Sequence, residues 1–136
     1  MRDISVLITG GAGFVGSNLA LKLKERHPEM RISALDNLKR RGSELNLPRL
    51  REAGVEFVHG DIRNKEDLPN FGTDLVLECS AEPAVVAGYD GSPDYLLNTN
   101  LVGTLNCLEL ARRQGAARCR VTRSALAASE RVRRGV

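Results

Sequence analysis

A chain of 136 residues, 42% hydrophobic and 27% charged, has room for one domain with a buried core and is too apolar to be disordered. Its apolar runs span only a handful of residues and its N-terminus lacks a signal-peptide pattern, so we expect a cytoplasmic protein without a membrane span. The net charge of +3 is unevenly distributed, because residues 1–111 carry 12 basic and 16 acidic groups whereas residues 112–136 carry eight Arg and one acid.

The cysteines are three in number, Cys79, Cys107 and Cys119, and they form no Cys-x-x-Cys pair. The two histidines lie far from them in sequence. An odd number of cysteines at such spacings indicates neither a disulfide framework nor a zinc site. We therefore predict small buried thiols and no metal site.

Strand and helix patterns alternate along the first 111 residues. Short apolar runs predict strands over residues 4–9, 32–35, 55–59 and 75–77. Helical periodicity predicts helices over residues 14–26 and 44–53, the second limited by Pro48, and a short helix from Asn64. Ser92 and Pro93 are a typical helix start, and the helix that follows carries a stripe of leucines (Leu97, Leu101, Leu105 and Leu108).

This order, β-α-β-α-β-α-β-α with short connections, is typical of the α/β class. Connections between parallel strands are right-handed and pack their helices against the sheet. We therefore expect an open, mostly parallel sheet with helices on both faces.

A glycine-rich turn separates the first strand from the first helix, at residues 9–16. It contains Gly-x-Gly-x-x-Gly through Gly11, Gly13 and Gly16, and also Gly-x-x-Gly-x-x-Gly through Gly10, Gly13 and Gly16. Without Cβ atoms the backbone turns sharply and approaches a pyrophosphate, whose charge rests on N–H groups and the helix dipole. The turn therefore predicts a phosphate-binding site.

Asp36 ends the second strand twenty residues after Gly16, the distance expected for a carboxylate that accepts hydrogen bonds from an adenosine ribose. Together with the glycine turn it predicts a dinucleotide-binding sheet of the Rossmann type. A carboxylate here repels a 2′-phosphate and favours NAD, whereas Lys39, Arg40 and Arg41 would attract one. We predict NAD and leave open whether the basic residues contact the cofactor or lie in solvent.

At these residues the sequence resembles the extended short-chain dehydrogenase/reductases, and specifically their NAD-dependent epimerase/dehydratase family. The resemblance covers about residues 4–117. It is carried by residues 9–16, by Asp-Asn-Leu at 36–38, by Gly-Asp-Ile-Arg at 60–63 and by Asn-Thr-Asn-Leu-Val-Gly-Thr at 98–104. It implies a nucleotide-sugar substrate and a homo-oligomer for a full-length relative. From the short apolar runs we expect no membrane partner.

The resemblance also implies that thirteen residues bind the cofactor. The glycine turn and the start of the first helix would hold the diphosphate (Gly10, Gly13, Phe14, Val15 and Gly16). The ends of the second and third strands would hold the adenosine, with Asp61 accepting from the adenine amino group (Asp36, Asn37, Arg40, Asp61 and Ile62). Residues after the fourth strand and in the next helix would lie on the nicotinamide side (Ser80, Ala81 and Asn100).

The catalytic base of this family is the Tyr of Tyr-x-x-x-Lys, which removes a hydroxyl proton while NAD transiently oxidises a sugar carbinol. Neither Tyr89 nor Tyr95 has a Lys four residues later, and the last lysine is Lys65. We therefore assign no catalytic residue and expect the 136-residue chain to be catalytically incompetent by itself.

The last residues are rich in Arg and do not resemble the family, which would continue with an apolar fifth strand. Placing Arg118, Arg120 and Arg123 inside a central strand would desolvate charge at a cost of several kcal/mol each. We therefore predict a partial NAD-binding Rossmann domain at residues 1–117, with an incomplete sheet. Residues 118–136 are predicted to be a tail outside the family pattern, which an out-of-frame reading would explain.

Two other functions use the same features. A non-catalytic dinucleotide-binding sensor shares the glycine turn, and NAD affinity without turnover would favour it. Nucleic-acid binding through the basic tail is the third hypothesis. The tail has neither interleaved aromatic residues nor a recognition helix, so we expect no nucleic-acid partner.

Overall fold

The computed structural model describes residues 3–82, 92–116 and 118–121, the last four by their backbone alone. Tyr89 and residues 122–136, which form most of the predicted tail, lie outside the described residues. Within those ranges no helix combines the length and the apolar character that crossing a membrane requires.

Five parallel strands of the described chain form one sheet in the order β3-β2-β1-β4-β5. They are β1 (Ser5–Thr9), β2 (Arg31–Asp36), β3 (Glu56–His59), β4 (Leu75–Glu78) and β5 (Arg118–Val121). In the centre, Thr9 of β1 is level with Leu35 of β2 on one side and with Glu78 of β4 on the other. The strand order therefore reverses between β1 and β4, and ligands of open parallel sheets bind at such a reversal.

The helices are α1 (Phe14–Arg26), α2 (Leu47–Glu52), α3 (Asp94–Leu97) and α4 (Thr104–Gln114). α1 has the predicted bounds. The helix predicted over residues 44–53 is a 3-10 turn, Ser43–Asn46, followed by the short α2, with Pro48 in the first turn of α2. The short helix predicted from Asn64 is a single 3-10 turn, Lys65–Asp67.

A π-helical segment, Asn98–Gly103, joins α3 to α4 and was not predicted. The helix starts as expected, because Ser92 Oγ accepts a hydrogen bond of 3.2 Å from the Asp94 N–H. Within the π segment Gly103 faces Ile62, and a Cβ on Gly103 would lie only 2.6 Å from Ile62 Cγ1. The absence of a side chain at Gly103 therefore brings this helix against the loop after β3.

The core has two halves because successive residues of a strand point to opposite faces of the sheet. Val6 and Ile8 of β1 pack with residues of α1 and α2 on one face, whereas Leu7 packs with Cys107 and Leu110 of α4 on the other. Helices therefore cover both faces of the sheet, as predicted.

The leucine stripe of the last helix faces away from the sheet. Its members are between 44% and 56% exposed (Leu97, Leu101, Leu105 and Leu108). The sheet is instead covered by the opposite face of α4, where Cys107 and Leu110 are fully or almost fully buried.

β5 was not predicted, since the sequence pattern led us to end the sheet before residue 118. The backbone pairs in parallel register with β4, from Leu75 opposite Arg118 to Glu78 opposite Val121. The prediction assumed a central strand, but β5 is an edge strand of the described sheet, and its pairing uses main-chain N–H and C=O groups. The domain boundary at residue 117 stays a prediction.

Candidate functional site

A cleft of about 520 Å³ opens at the carboxyl ends of β1, β2, β3 and β4. Twelve of the thirteen residues predicted to bind the cofactor line it: Gly10, Gly13, Phe14, Val15, Gly16, Asp36, Asn37, Arg40, Asp61, Ile62, Ser80 and Ala81. The thirteenth, Asn100, does not. Four loops that are distant in sequence therefore meet in one place.

The tight turn after β1 depends on Gly10 and Gly16. Gly10 has φ +63°, and a Cβ on it would lie 2.5 Å from the carbonyl oxygen of Cys79. A Cβ on Gly16 would overlap the carbonyl of Gly10. Both glycines therefore allow α1 to begin directly against the ends of β1 and β4.

The other two glycines of the turn face in different directions. Gly13 lines the cleft, whereas Gly11 packs on β2, where its Cβ would lie 2.6 Å from that of Ala34. The glycines of the turn that line the cleft are thus Gly10, Gly13 and Gly16, in the spacing Gly-x-x-Gly-x-x-Gly.

The N-terminus of α1 opens into this cleft. The helix follows Gly13, which provides no side-chain cap, and its first residues, Phe14 and Val15, are 84% and 50% exposed. The first N–H groups of a helix have no partner within it and carry partial positive charge. This end of α1 is therefore suited to a phosphate group.

Asp36 ties the end of β2 to the glycine turn. One carboxylate oxygen accepts from the Ala12 N–H at 3.1 Å, and the other accepts from the Leu38 N–H at 2.8 Å. Asn46 supports the same turn by donating to the Ala12 carbonyl at 2.8 Å. Sequence reasoning missed Asn46, because an Asn within a helical pattern gives no signal. Leu38 adopts φ +55°, a strained conformation of a kind that often occurs at binding sites.

Asp61 joins the loops after β2 and β3. Its carboxylate accepts from Asn37 Nδ2 at 3.0 Å and from Arg63 at 2.6–3.1 Å, with both oxygens engaged by the guanidinium. These bonds hold the pKa of the Asp61 carboxyl well below its usual range and raise the pKa of Arg63. The carboxylate is therefore fixed and ionised at neutral pH.

The loop after β4 contributes hydroxyl and backbone groups. The Ser80 N–H donates to the buried Glu78 carboxylate at 2.6 Å. Among the described residues, neither Ser80 Oγ nor Thr99 Oγ1 has a hydrogen-bond partner, although both residues line the cleft. Buried hydroxyls without partners are uncommon, and these two have bonding capacity for a group that enters the cleft.

Asn100 acts behind the cleft. Its side chain accepts from the Glu82 N–H at 2.8 Å and donates to the Glu82 carbonyl at 3.2 Å, so it fixes the backbone at Glu82. Sequence reasoning missed Glu82, Tyr95 and Thr99, which also line the cleft. Glu82 and Tyr95 belong to no cofactor motif, whereas Thr99 lies beside Asn100 in the segment 98–104 that carries the family resemblance.

These features fit a dinucleotide. The cleft has a volume typical of small-molecule sites, which range from about 300 to 1,000 Å³. It offers a glycine turn, the positive end of a helix, a carboxylate at the end of β2 and the hydroxyls of Ser80 and Thr99, which have no partner among the described residues. These groups have the chemistry to bind phosphate, ribose and a polar ring.

Comparison with known proteins identifies the family. The protein family described as "NAD dependent epimerase/dehydratase family" matches residues 6–131 of this chain. CDP-paratose 2-epimerase from Salmonella typhi is 40% identical over 114 residues, which cover 80% of this chain and 33% of that protein. dTDP-glucose 4,6-dehydratase from Mycobacterium tuberculosis is 35% identical over 112 residues, with 81% and 33% covered. The chain therefore spans about a third of the length of the curated relatives it matches.

Solved structures give the same result. A UDP-galactose 4-epimerase aligns with a TM-score of 0.72 and 31% identity, covering 87% of this chain and 37% of that one. Helicobacter pylori ADP-L-glycero-D-manno-heptose-6-epimerase aligns with a TM-score of 0.75 and 30% identity, covering 89% and 41%. The Rossmann-type fold and the resemblance are confirmed, and the family's cofactor is the NAD that the sequence predicted. The chain belongs to the NAD-dependent epimerase/dehydratase family.

Proposed function

We propose that this chain binds NAD in the cleft described above and forms the cofactor-binding part of an enzyme that acts on nucleotide sugars. The observation that carries the proposal is the convergence of the α1 N-terminus and Asp36 in one cleft. These are the two groups that a diphosphate and an adenosine ribose require.

The diphosphate would lie on the glycine turn. Gly13 leaves room for it, and the N–H groups of Phe14 and Val15 lie at the positive end of α1. Asp36 would accept hydrogen bonds from the ribose hydroxyls, since each oxygen holds one protein N–H and has capacity for another donor.

The two ends of the cofactor would meet different loops. Asp61 and Ile62 form the end of the cleft proposed for adenine, with Asn37 beside them. Ser80 and Ala81 line the part proposed for nicotinamide, where Ser80 Oγ would gain the partner it lacks among the described residues. Asn100 would act indirectly, through the backbone of Glu82.

We propose a nucleotide sugar as the substrate class and NAD as a transient acceptor of hydride from it. The similar proteins support the substrate class, because they are a CDP-paratose 2-epimerase, a dTDP-glucose 4,6-dehydratase and a UDP-galactose 4-epimerase. The 136 residues contain no Tyr-x-x-x-Lys, so we expect this polypeptide to bind NAD without converting a sugar by itself.

Calorimetric titration with NAD tests the proposal. We expect saturable binding by the wild-type chain and a loss of about 10- to 100-fold in affinity for Asp36→Ala, because hydrogen bonds to a charged group contribute about 1.5–3 kcal/mol. Asp3→Ala, which removes an exposed carboxylate outside the cleft, is the matched control. Absence of binding by folded protein, or equal affinity in Asp36→Ala, would contradict the assignment.

A non-catalytic NAD-binding module is the second candidate. The absence of Tyr-x-x-x-Lys from these residues favours it. A version of the chain extended by downstream coding sequence distinguishes the two. Turnover of a nucleotide sugar by the extended version supports the enzyme, whereas NAD binding without turnover supports the module.

A further inference from the structure

Three consecutive basic residues, Lys39, Arg40 and Arg41, follow the ribose-binding end of β2. A cation beside a ribose attracts a 2′-phosphate, as in NADP, and thereby opposes the repulsion from Asp36. The sequence alone leaves this competition open. The contacts of each cation decide which side chains are available to a phosphate.

Lys39 is held by an aromatic ring. Its Nζ lies 3.3 Å from the ring centroid of Tyr95, which lines the cleft from α3. The Lys39 N–H also donates to Asn37 Oδ1 at 3.0 Å, which fixes the backbone from which the side chain extends. An ammonium over a ring face is attracted by the ring quadrupole. The charge of Lys39 is therefore directed towards α3.

Arg40 is held by a carboxylate on the opposite wall of the cleft. Its Nη2 lies 3.2 Å from Glu82 Oε1, and the Glu82 side chain is only 19% exposed. Asn100 holds the Glu82 backbone through two hydrogen bonds, one to its N–H and one to its carbonyl, so the position from which this carboxylate extends is fixed. Arg41, by contrast, is exposed and does not line the cleft.

We infer that Tyr95 and Glu82 determine cofactor specificity by holding Lys39 and Arg40, so that Asp36 is the charge that meets the 2′ position and the site rejects 2′-phosphorylated dinucleotides. The inference rests on the proposed binding of NAD. It assigns a role to two residues that carry no cofactor motif. It also explains how a run of three cations coexists with a site that selects NAD.

The ratio of the dissociation constants for NADP and NAD, measured by calorimetry on the full chain, tests this role. Tyr95→Leu removes the ring and releases Lys39, and Glu82→Gln removes the charge that holds Arg40. Each variant is expected to lower the ratio by about twofold to fivefold, the size of one exposed cationic contact. Tyr95→Phe keeps the ring face and Arg41→Ala removes a cation outside the cleft, so both are expected to keep the wild-type ratio.

Second substitutions show whether the released cations cause the change. Lys39→Ala in the Tyr95→Leu background and Arg40→Ala in the Glu82→Gln background are expected to restore the wild-type ratio. An unchanged ratio in both single variants, or a gain for NADP that persists without Lys39 and Arg40, overturns the inference while leaving NAD binding intact. Failure of the wild-type chain to bind either dinucleotide would instead overturn the proposed function on which the inference rests.

Discussion

Asp61 carries a carboxylate that is bonded on both oxygens by a neighbour only two residues away, Arg63. The Asp61 side chain is 14% exposed and that of Arg63 is 34% exposed, so solvent screens the pair only in part. The bonds from Arg63 and Asn37 lower the pKa of Asp61 from its usual range. One short segment thus fixes the geometry of the loop after β3.

The lowered pKa of Asp61 makes the stability of the fold depend on pH. Since the pKa of Asp61 is lowered in the folded state, the pair stabilises the fold above about pH 3.9, the usual pKa of Asp, and this contribution is lost as the pH falls further. Arg63→Gln is therefore expected to lower the free energy of unfolding by about 1–3 kcal/mol at pH 7 and by progressively less on acidification below pH 4. Urea unfolding at several pH values measures the difference.

The control for this prediction is another pair at close range, Arg112 with Glu109. Its side chains are 73% and 43% exposed, although the shortest N–O distance is 2.7 Å. Exposed pairs of this kind contribute little. Arg112→Gln is expected to leave the pH dependence of stability unchanged. An equal pH dependence in Arg63→Gln and wild type would show that the Asp61 pair does not stabilise the fold.

At the level of elements, the sequence predicts what depends on local pattern. The buried strands and α1 were predicted to within one or two residues, because β-branched runs and a glycine turn determine them directly. The π segment was not predicted; it contains Gly103, which packs against Ile62, a residue 41 positions earlier, and a local pattern carries no signal for such a contact. β5 was not predicted either, because its pairing depends on the backbone of β4 rather than on its own composition.

The leucine stripe also shows what the sequence pattern alone does not determine. Helical periodicity places four leucines on one face, but it does not say which face meets the sheet. In the described structure α4 covers the sheet with the face that carries Cys107, Leu110 and Ala111, and Asn106 Nδ2 donates to the Ile62 carbonyl at 2.8 Å. The apolar stripe lies outside, where Leu101 is 55% and Leu105 is 56% exposed. Hydrophobicity alone therefore does not determine which face of the helix packs against the sheet.

The exposed and the buried leucines of α4 and the π segment are expected to contribute very differently to stability. The double variant Leu101→Gln, Leu105→Gln is expected to change the free energy of unfolding by less than about 0.5 kcal/mol, because both side chains are exposed. It is also expected to raise the concentration at which the chain aggregates, since exposed apolar patches promote association. Urea unfolding and light scattering measure the two effects.

Leu110→Ala is the matched control on the buried face. Leu110 is 1% exposed and belongs to the core formed with Leu7 and Cys107, so its truncation is expected to cost about 2–5 kcal/mol. A loss of similar size in the double glutamine variant would mean that the outer leucines are packed within this chain, contrary to the exposure of the stripe.

For the whole molecule, the site is a product of strand order. Because β1 lies between β2 and β4, the glycine turn meets Asp36 on one side and Ser80 on the other. Motif and spacing predicted the glycine turn and Asp36, and the family resemblance supplied Ser80. Motifs could not predict Tyr95 or Glu82, whose contacts with Lys39 and Arg40 depend on the path of α3 and the loop after β4.

This arrangement predicts that the four loops of the cleft respond to NAD together. Hydrogen exchange is expected to slow on addition of NAD at residues 10–16, 36–40, 60–62 and 80–82, which line or support the cleft. Segments away from the cleft, at residues 27–30 and 69–73, are expected to exchange through local opening at unchanged rates.

Amides of the sheet exchange only on global unfolding and would slow as binding stabilises the fold, by about 2.7 kcal/mol at a free NAD concentration 100 times the dissociation constant. At the same NAD concentration Asp36→Ala is expected to weaken all of these effects together, because it weakens binding itself. Protection confined to the glycine turn would show that the other three loops do not contact the cofactor.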